Sequence, residues 1–214
     1  MSDQSSEPLG SEATKAKRKV SVVDAVCCVY FCAAAKSSLL IAILTALDME
    51  ILIPEEVATE AGRKTSFEHL ATHLARLQAS ARVKILPRLM LEDERTDVLA
   101  NVARVRGMSQ TLAISSRKDL GEAVVIGHAK NLADSGHDVY VLIDDQGGQV
   151  LASAEGLEII TVKMLLLAAV QLELLPAGKL QSTYESLRPF GARLPTWKAS
   201  TLKSDYESWR RARG

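Results

Sequence analysis

Short apolar runs that alternate with helix-like stretches predict an α/β fold: three layers, α/β/α, around a central parallel sheet, with a C-terminal helical extension. Three observations carry this. The five strand-like runs read as continuous rather than alternating hydrophobic stretches, as parallel strands buried on both faces do. Each is separated from the next by a helical segment. Of 214 residues, 47% are hydrophobic, enough for one compact core plus extensions.

The elements follow in order. Residues 1–19 are rich in Ser, Glu and Lys, cannot build a core, and read as a disordered tail whose basic cluster (Lys15, Lys17, Arg18, Lys19) is solvated. Residues 20–23 form a short β-branched strand ending at Asp24. Residues 25–47 are Ala- and Leu-rich and helical. "MEILIP" (49–54) is a second strand, with Pro54 placed to open the next helix, which carries Val57 and Glu60. "FEHLATHLARLQ" (67–78) puts Phe67, Leu70, Ala71, Leu74 and Leu77 on one helical face. "RVKILP" (82–87) is a third strand, and residues 92–105 are helical.

In "KDLGEAVVIGHAKNLADSG", Asp119 is placed to cap a helix, Glu122 completes a capping box, and Gly136 stops it. Residues 139–143 form a fourth strand, 147–155 a short helix, "LEIITV" (157–162) a fifth strand, and 163–174 an apolar helix. Residues 20–175 thus make one domain. Residues 176–214 hold three of the six prolines and both tryptophans and form the appended helical element, with a basic end at Arg210, Arg211 and Arg213.

Composition narrows the function. Lys+Arg and Asp+Glu both number 26, so net charge points to neither nucleic acid nor an anionic membrane, and any basic surface must be local. Aromatics at 4% weigh against a base-stacking platform. Cys27, Cys28 and Cys32 crowd one segment without a second cluster, which excludes a structural zinc and reads as small buried side chains in a reducing cytoplasm. The polar first 19 residues carry no secretory signal. The apolar stretch 20–47 is broken by Asp24, Lys36 and Asp48, so no membrane span is expected.

The acids carry the chemistry. Ligands of open α/β sheets bind beyond the C-terminal ends of the strands. Asp24 ends the first strand, and Asp144 and Asp145 end the fourth. Glu122 opens the helix entering that strand, and Glu60 lies two turns beyond the second. Carboxylates gathered there raise one another's pKa, and a hard, oxygen-preferring cation such as Mg²⁺ or Mn²⁺ relieves the repulsion. Each acid also has a plainer reading: Asp24 as a helix cap, Glu122 as the capping-box partner, Glu60 as a solvated position, and Asp144-Asp145 as the start of a glycine turn. His128 lies six residues past Glu122 on another helix face and reads as structural or surface.

Four stretches in order, "VSVVDAV", "ILIPEEVATEA", "DLGEAVVIGHAKN" and "VYVLIDDQGGQVLASAEGLEIITV", resemble the PIN domains, metal-dependent ribonucleases that include the VapC-type toxins. The resemblance spans about residues 20–175. It implies a PIN-like domain that hydrolyses RNA phosphodiester bonds with Mg²⁺ or Mn²⁺. The catalytic and metal-binding residues would be Asp24, Glu60, Glu122 and Asp145, with Asp144 as a further ligand; the seven-residue spacing to Ala152 favours Asp145 over Asp144. Implied partners are an RNA substrate, a small antitoxin and a second copy of the chain. Flanking cations for RNA are Arg63, Lys64, Lys118 and the C-terminal arginines. The chain departs from the family pattern at Ala25, Val26 and Ile143, where relatives carry a hydroxyl or amide side chain. A scaffold that binds RNA or a protein without cutting is therefore the alternative. A phosphatase would need Asp-x-Asp after the first strand, and the chain reads Asp24-Ala25-Val26.

Overall fold

The computed structural model describes residues 17–64, 66–92, 95–116, 118–190 and 194–213. The five expected strands are all present, each within two residues of its expected bounds: β1 (Lys19–Val23), β2 (Glu50–Pro54), β3 (Val83–Leu86), β4 (Asp138–Leu142) and β5 (Glu158–Ile160). They form one sheet in the order β3-β2-β1-β4-β5. Every neighbouring pair is parallel, and helices cover the sheet as a three-layer α/β/α fold. Val22, Val23, Val141 and Leu142 are fully buried. That explains why the central strands read as unbroken apolar runs rather than as alternation.

The helices among the described residues are α1 (Ala25–Ala33), α2 (Ser37–Ala46), α3 (Glu55–Gly62), α4 (Leu70–Gln78), α5 (Thr96–Arg106), α6 (Gln110–Ser115), α7 (Leu120–Asp134), α8 (Gln146–Ala154), α9 (Val162–Gln171), α10 (Leu180–Leu187) and α11 (Thr201–Arg213). α1, α2 and α4 pack on one another, while α7 packs on β1, β2 and β4 and carries α5 outside it.

The helical stretch expected over residues 25–47 is divided into α1 and α2, because Ala35 takes a left-handed φ of 55° and the Lys36 N–H closes back on the Phe31 carbonyl at 2.6 Å. Three local expectations need correction. Phe67 lies in a turn before α4 rather than on its face, with its N–H donating to the Lys64 carbonyl. The expected capping box of α7 does not form. Asp119 sits at the N-cap with φ of 53°, and its side chain makes no capping bond. Finally, α6 escaped the sequence reading because six largely exposed residues are too short to show a periodicity.

Of the expected N-terminal tail, residues 1–16, including Lys15, lie outside the described residues. Lys17 pairs with Asp138 at 2.8 Å, Arg18 with Glu50 at 2.9 Å, and Lys19 donates to the Leu47 carbonyl. The chain is therefore already tied to the sheet at Lys17, two residues before β1. The C-terminal segment is no loose appendage. Leu180, Tyr184, Leu187, Leu194 and Leu202 are buried in the same hydrophobic cluster as the strands. α10 and α11 both pack on α9, and α10 also touches α1.

The cysteines are buried as expected, and burial pushes all three thiols up, Cys32 to about 12. Protonated, inaccessible thiols are neither nucleophiles nor ligands. His128 is 6% exposed, and its Nε2 has no hydrogen-bond partner among the described residues. Burial, then the Arg95 charge, hold its pKa down to about 4, so it is a neutral core residue. Among the described residues no helix is long and apolar enough to cross a membrane.

The close approach of α5 and α7 supplies a stability test. A Cβ at Gly127 of α7 would lie 2.5 Å from Val102 Cγ2 and 3.2–3.3 Å from the α5 backbone at Val102 and Val98. The gain in helix propensity from Ala, about 1 kcal/mol, is smaller than the overpacking cost. Gly127→Ala should therefore destabilise the fold by about 1–3 kcal/mol, read as a lowered urea midpoint. An unchanged or higher midpoint would show that α5 yields freely.

Candidate carboxylate site

β1 is flanked by β2 on one side and β4 on the other, so the chain turns in opposite directions from the sheet centre and leaves a crevice beyond the strand ends. The registers Val22↔Leu52 and Val23↔Leu142 bring the C-terminal ends of β1, β2 and β4 to one level. The Asp24 N–H donates to the Leu142 carbonyl at 3.0 Å, carrying the ladder one residue past β1 and fixing this aspartate between the two strands.

A cavity of about 520 Å³ opens there. Its wall contains Asp24, Glu60, Asp119, Glu122, Asp144 and Asp145, together with Arg63, Lys64, Tyr30 and Phe190. All five acids singled out from the sequence thus meet in one hollow, delivered by four separate segments. Asp119 was missed as a wall residue because its spacing to Glu122 suggested a capping role, and a left-handed φ leaves no mark in the sequence.

Two glycines make room for the glutamates. A Cβ on Gly121, in the first turn of α7, would lie 2.4 Å from Glu60 Oε2. A Cβ on Gly148, in the first turn of α8, would lie 2.7 Å from Glu122 Oε1 and 2.1 Å from Ile143 Cδ1. Both carboxylates therefore nestle against helix N-termini, where the partial positive charge of exposed N–H groups favours an anion.

The aspartates are held by backbone bonds. Asp24 Oδ2 accepts the Val26 N–H at 3.1 Å and caps α1, and Asp145 Oδ1 accepts the Gly147 and Gly148 N–H groups at 2.9 and 3.4 Å and caps α8. Asp144 Oδ1 accepts the Val162 N–H at 3.1 Å, at the start of α9. The plainer readings of Asp24 and of the aspartate pair are thus real. One oxygen of a carboxylate suffices for each cap, so capping and ligand duty are compatible.

Electrostatics distinguishes the acids. Asp24 is 5% exposed. Burial above all, offset in part by the Val26 and Ala25 N–H groups and reinforced by the Glu60 and Asp144 charges, raises its pKa from an ordinary 3.8 to about 6. Burial also raises Asp144, against the pull of the Val162 N–H and Lys163. The Asp144 charge thus bears on Asp24, while sequence spacing favours Asp145 as the ligand.

The cations singled out from the sequence fall into four groups. Arg63 and Lys64 line the acidic cavity, and neither has an ion pair among the described residues. Lys118 lines a neighbouring cavity that shares Asp119 and Glu122. Arg210 and Arg211 line a separate one with Trp197 and Tyr206. A further cavity, at the other end of the sheet, carries Lys17, Arg18 and Lys19, already bonded as described, beside Asp48 and Glu50.

The donor set is oxygen only, which suits Mg²⁺ or Mn²⁺ rather than a soft metal. Among the described residues no group of three or more His, Cys, Asp or Glu side chains is arranged to hold an ion as it stands. Mg²⁺ commonly takes one or two carboxylates and keeps its waters, so this donor chemistry fits it without a closed protein cage. Ala25 and Val26 present apolar wall to the cavity, and Ile143 is fully buried. At these positions the chain supplies no hydroxyl to orient a ligand or water.

Compared with known proteins, the chain matches no protein-family model and no curated sequence.

Proposed function

We propose that this chain is a Mg²⁺- or Mn²⁺-dependent ribonuclease working in the carboxylate cavity. The observation that carries the reading is the convergence of Asp24, Glu60, Glu122, Asp144 and Asp145 on one hollow at the topological switch point of the sheet. Carboxylates that outnumber the cations of their own cavity, one of them buried and pushed up to about 6, are costly unless a cation or proton joins them. Asp24, Glu60 and Asp144 are electrostatic neighbours and would hold the ion, with Glu122 and Asp145 on the α7 and α8 side. A bound divalent ion supplies an acidified water and charge stabilisation at a phosphate. The chain itself orients the acids through helix caps and offers Arg63 and Lys64 to the incoming phosphodiester.

The test is RNA cleavage by the full chain with Mg²⁺ or Mn²⁺ and with EDTA, beside the Asp145→Asn variant, which keeps the α8 cap. EDTA should abolish cleavage, added metal should restore it, and the variant should lose roughly a hundredfold or more. Cleavage that resists EDTA and survives both Asp24→Asn and Asp145→Asn removes the proposal.

The second reading is a scaffold that binds RNA or a partner without cutting. It is favoured by the lack of a ready three-ligand group among the described residues and by the apolar Ala25, Val26 and Ile143. RNA retained intact under saturating Mg²⁺ would select it. A toxin role is a separate matter, and a short neighbouring reading frame for a DNA-binding antitoxin would favour it.

A further inference from the structure

We propose that the C-terminal segment completes the site, with Phe190 as the residue that contacts the nucleobase beside the scissile phosphate. The inference rests on the ribonuclease reading and adds to it where binding energy for RNA comes from. The chain has only three phenylalanines. Two of them, Phe67 and Phe190, meet edge to face with centroids 5.1 Å apart, one from the turn that follows α3 and one from the turn that follows α10. Phe190 stands in the wall of the carboxylate cavity. It is only half-buried, so part of an apolar ring looks into a polar hollow.

Its position is set by a rigid support. Leu187 and Tyr184 are fully buried, and the Tyr184 hydroxyl donates to the Pro195 carbonyl at 2.9 Å. Arg188 pairs with Glu185 at 2.6 Å, and Glu185 accepts the Trp197 N–H at 3.0 Å. A ring held this way, with Phe67 against it and carboxylates beside it, gains little from water. A nucleobase offers an apolar face to a ring, and every base has one. The scarcity of aromatics in the composition does not decide the matter, since Phe190 stands in the wall of the cavity where a phosphodiester would enter.

A base can meet Phe190 only if it is unpaired and unstacked, so the site should prefer single-stranded to duplex RNA. Arg63 and Lys64 in the same wall would take the adjoining phosphates. The aromatic ring and the two cations together supply attraction that the carboxylates alone would deny to a polyanion.

The experiment uses the full chain made cleavage-deficient by Asp145→Asn and a single-stranded RNA carrying a fluorescent purine analogue that is quenched on stacking. Phe190→Leu keeps an apolar group against Phe67 but has no aromatic face, and Phe190→Trp restores one. Leucine should weaken binding about tenfold and abolish the quenching, while tryptophan keeps both. Duplex RNA of the same sequence should bind more weakly and ignore residue 190. In the cleavage-competent chain Phe190→Leu should raise KM more than it lowers kcat. Equal binding and quenching with leucine overturns the role of Phe190 and leaves the ribonuclease reading standing. A loss with leucine that tryptophan fails to rescue, accompanied by a lower Tm, assigns Phe190 to packing and overturns it too. RNA neither bound nor cut by any chain overturns both.

Discussion

Replacing Asp24 with Asn will stabilise the metal-free protein above pH 6 and remove the proposed metal-dependent RNA cleavage. The two effects have one cause. The folded-state pKa of Asp24 is raised from 3.8 to about 6, chiefly by burial. A raised pKa means that the protonated form favours folding. That contribution is fully present below pH 3.8 and is lost as pH rises through 6. Above that window the wild type carries the whole cost of a buried, repelled charge, up to about 3 kcal/mol for a shift of roughly two units. Asn keeps the oxygen that accepts the Val26 N–H and drops the charge. The expected gain is roughly 5–10 °C in Tm near neutral pH, shrinking to nothing by about pH 4. Comparing variant with wild type at each pH cancels His128, whose depressed pKa works the other way. Its contribution is present above 6.5 and lost as pH falls through about 4. Cleavage should drop at least a hundredfold, since the charge removed is the one most costly to keep. A destabilised Asp24→Asn protein that still cuts RNA would contradict both halves.

Gly121→Ala should separate activity from stability in the opposite sense to Gly127→Ala. At Gly121 the new Cβ would meet Glu60 Oε2 at 2.4 Å, and its nearest contact outside Glu60, Val57 Cγ2, is at an ordinary 3.8 Å. Glu60 is exposed and flexible, so the carboxylate swings away at little cost, and Ala favours the helix by up to about 1 kcal/mol. Stability should hold or rise slightly. Cleavage should fall roughly 10- to 100-fold, because a displaced carboxylate no longer adds its charge beside Asp24. Urea unfolding and RNA cleavage on the same preparation decide it. Unchanged cleavage would mean that Glu60 has no part in the site.

The strands and the acid positions were legible because both are local. A buried parallel strand is a short apolar run, and the acid that ends it marks the sheet edge where ligands bind. Asp24 and the Asp144-Asp145 pair could be placed on that edge with no coordinates. What stayed hidden depends on backbone conformation or on contacts distant in sequence. Ala35 and Asp119 take left-handed φ angles that their residue types do not announce. Phe67 fits a helical periodicity, yet its partner is Phe190, far along the chain. That the Asp144 charge bears on Asp24 is likewise a contact across the sheet that spacing to Ala152 does not reveal.

The most direct measurement is thermal unfolding with and without Mg²⁺ or Mn²⁺ at about pH 7.5, wild type against Asp24→Asn, because a ligand of the folded state at a hundredfold excess over Kd stabilises by about 2.7 kcal/mol. The wild type should gain several degrees with either ion, and the variant, already more stable, should gain nothing. Equal shifts in both proteins, or no shift in the wild type, would mean that these carboxylates do not gather around a divalent ion.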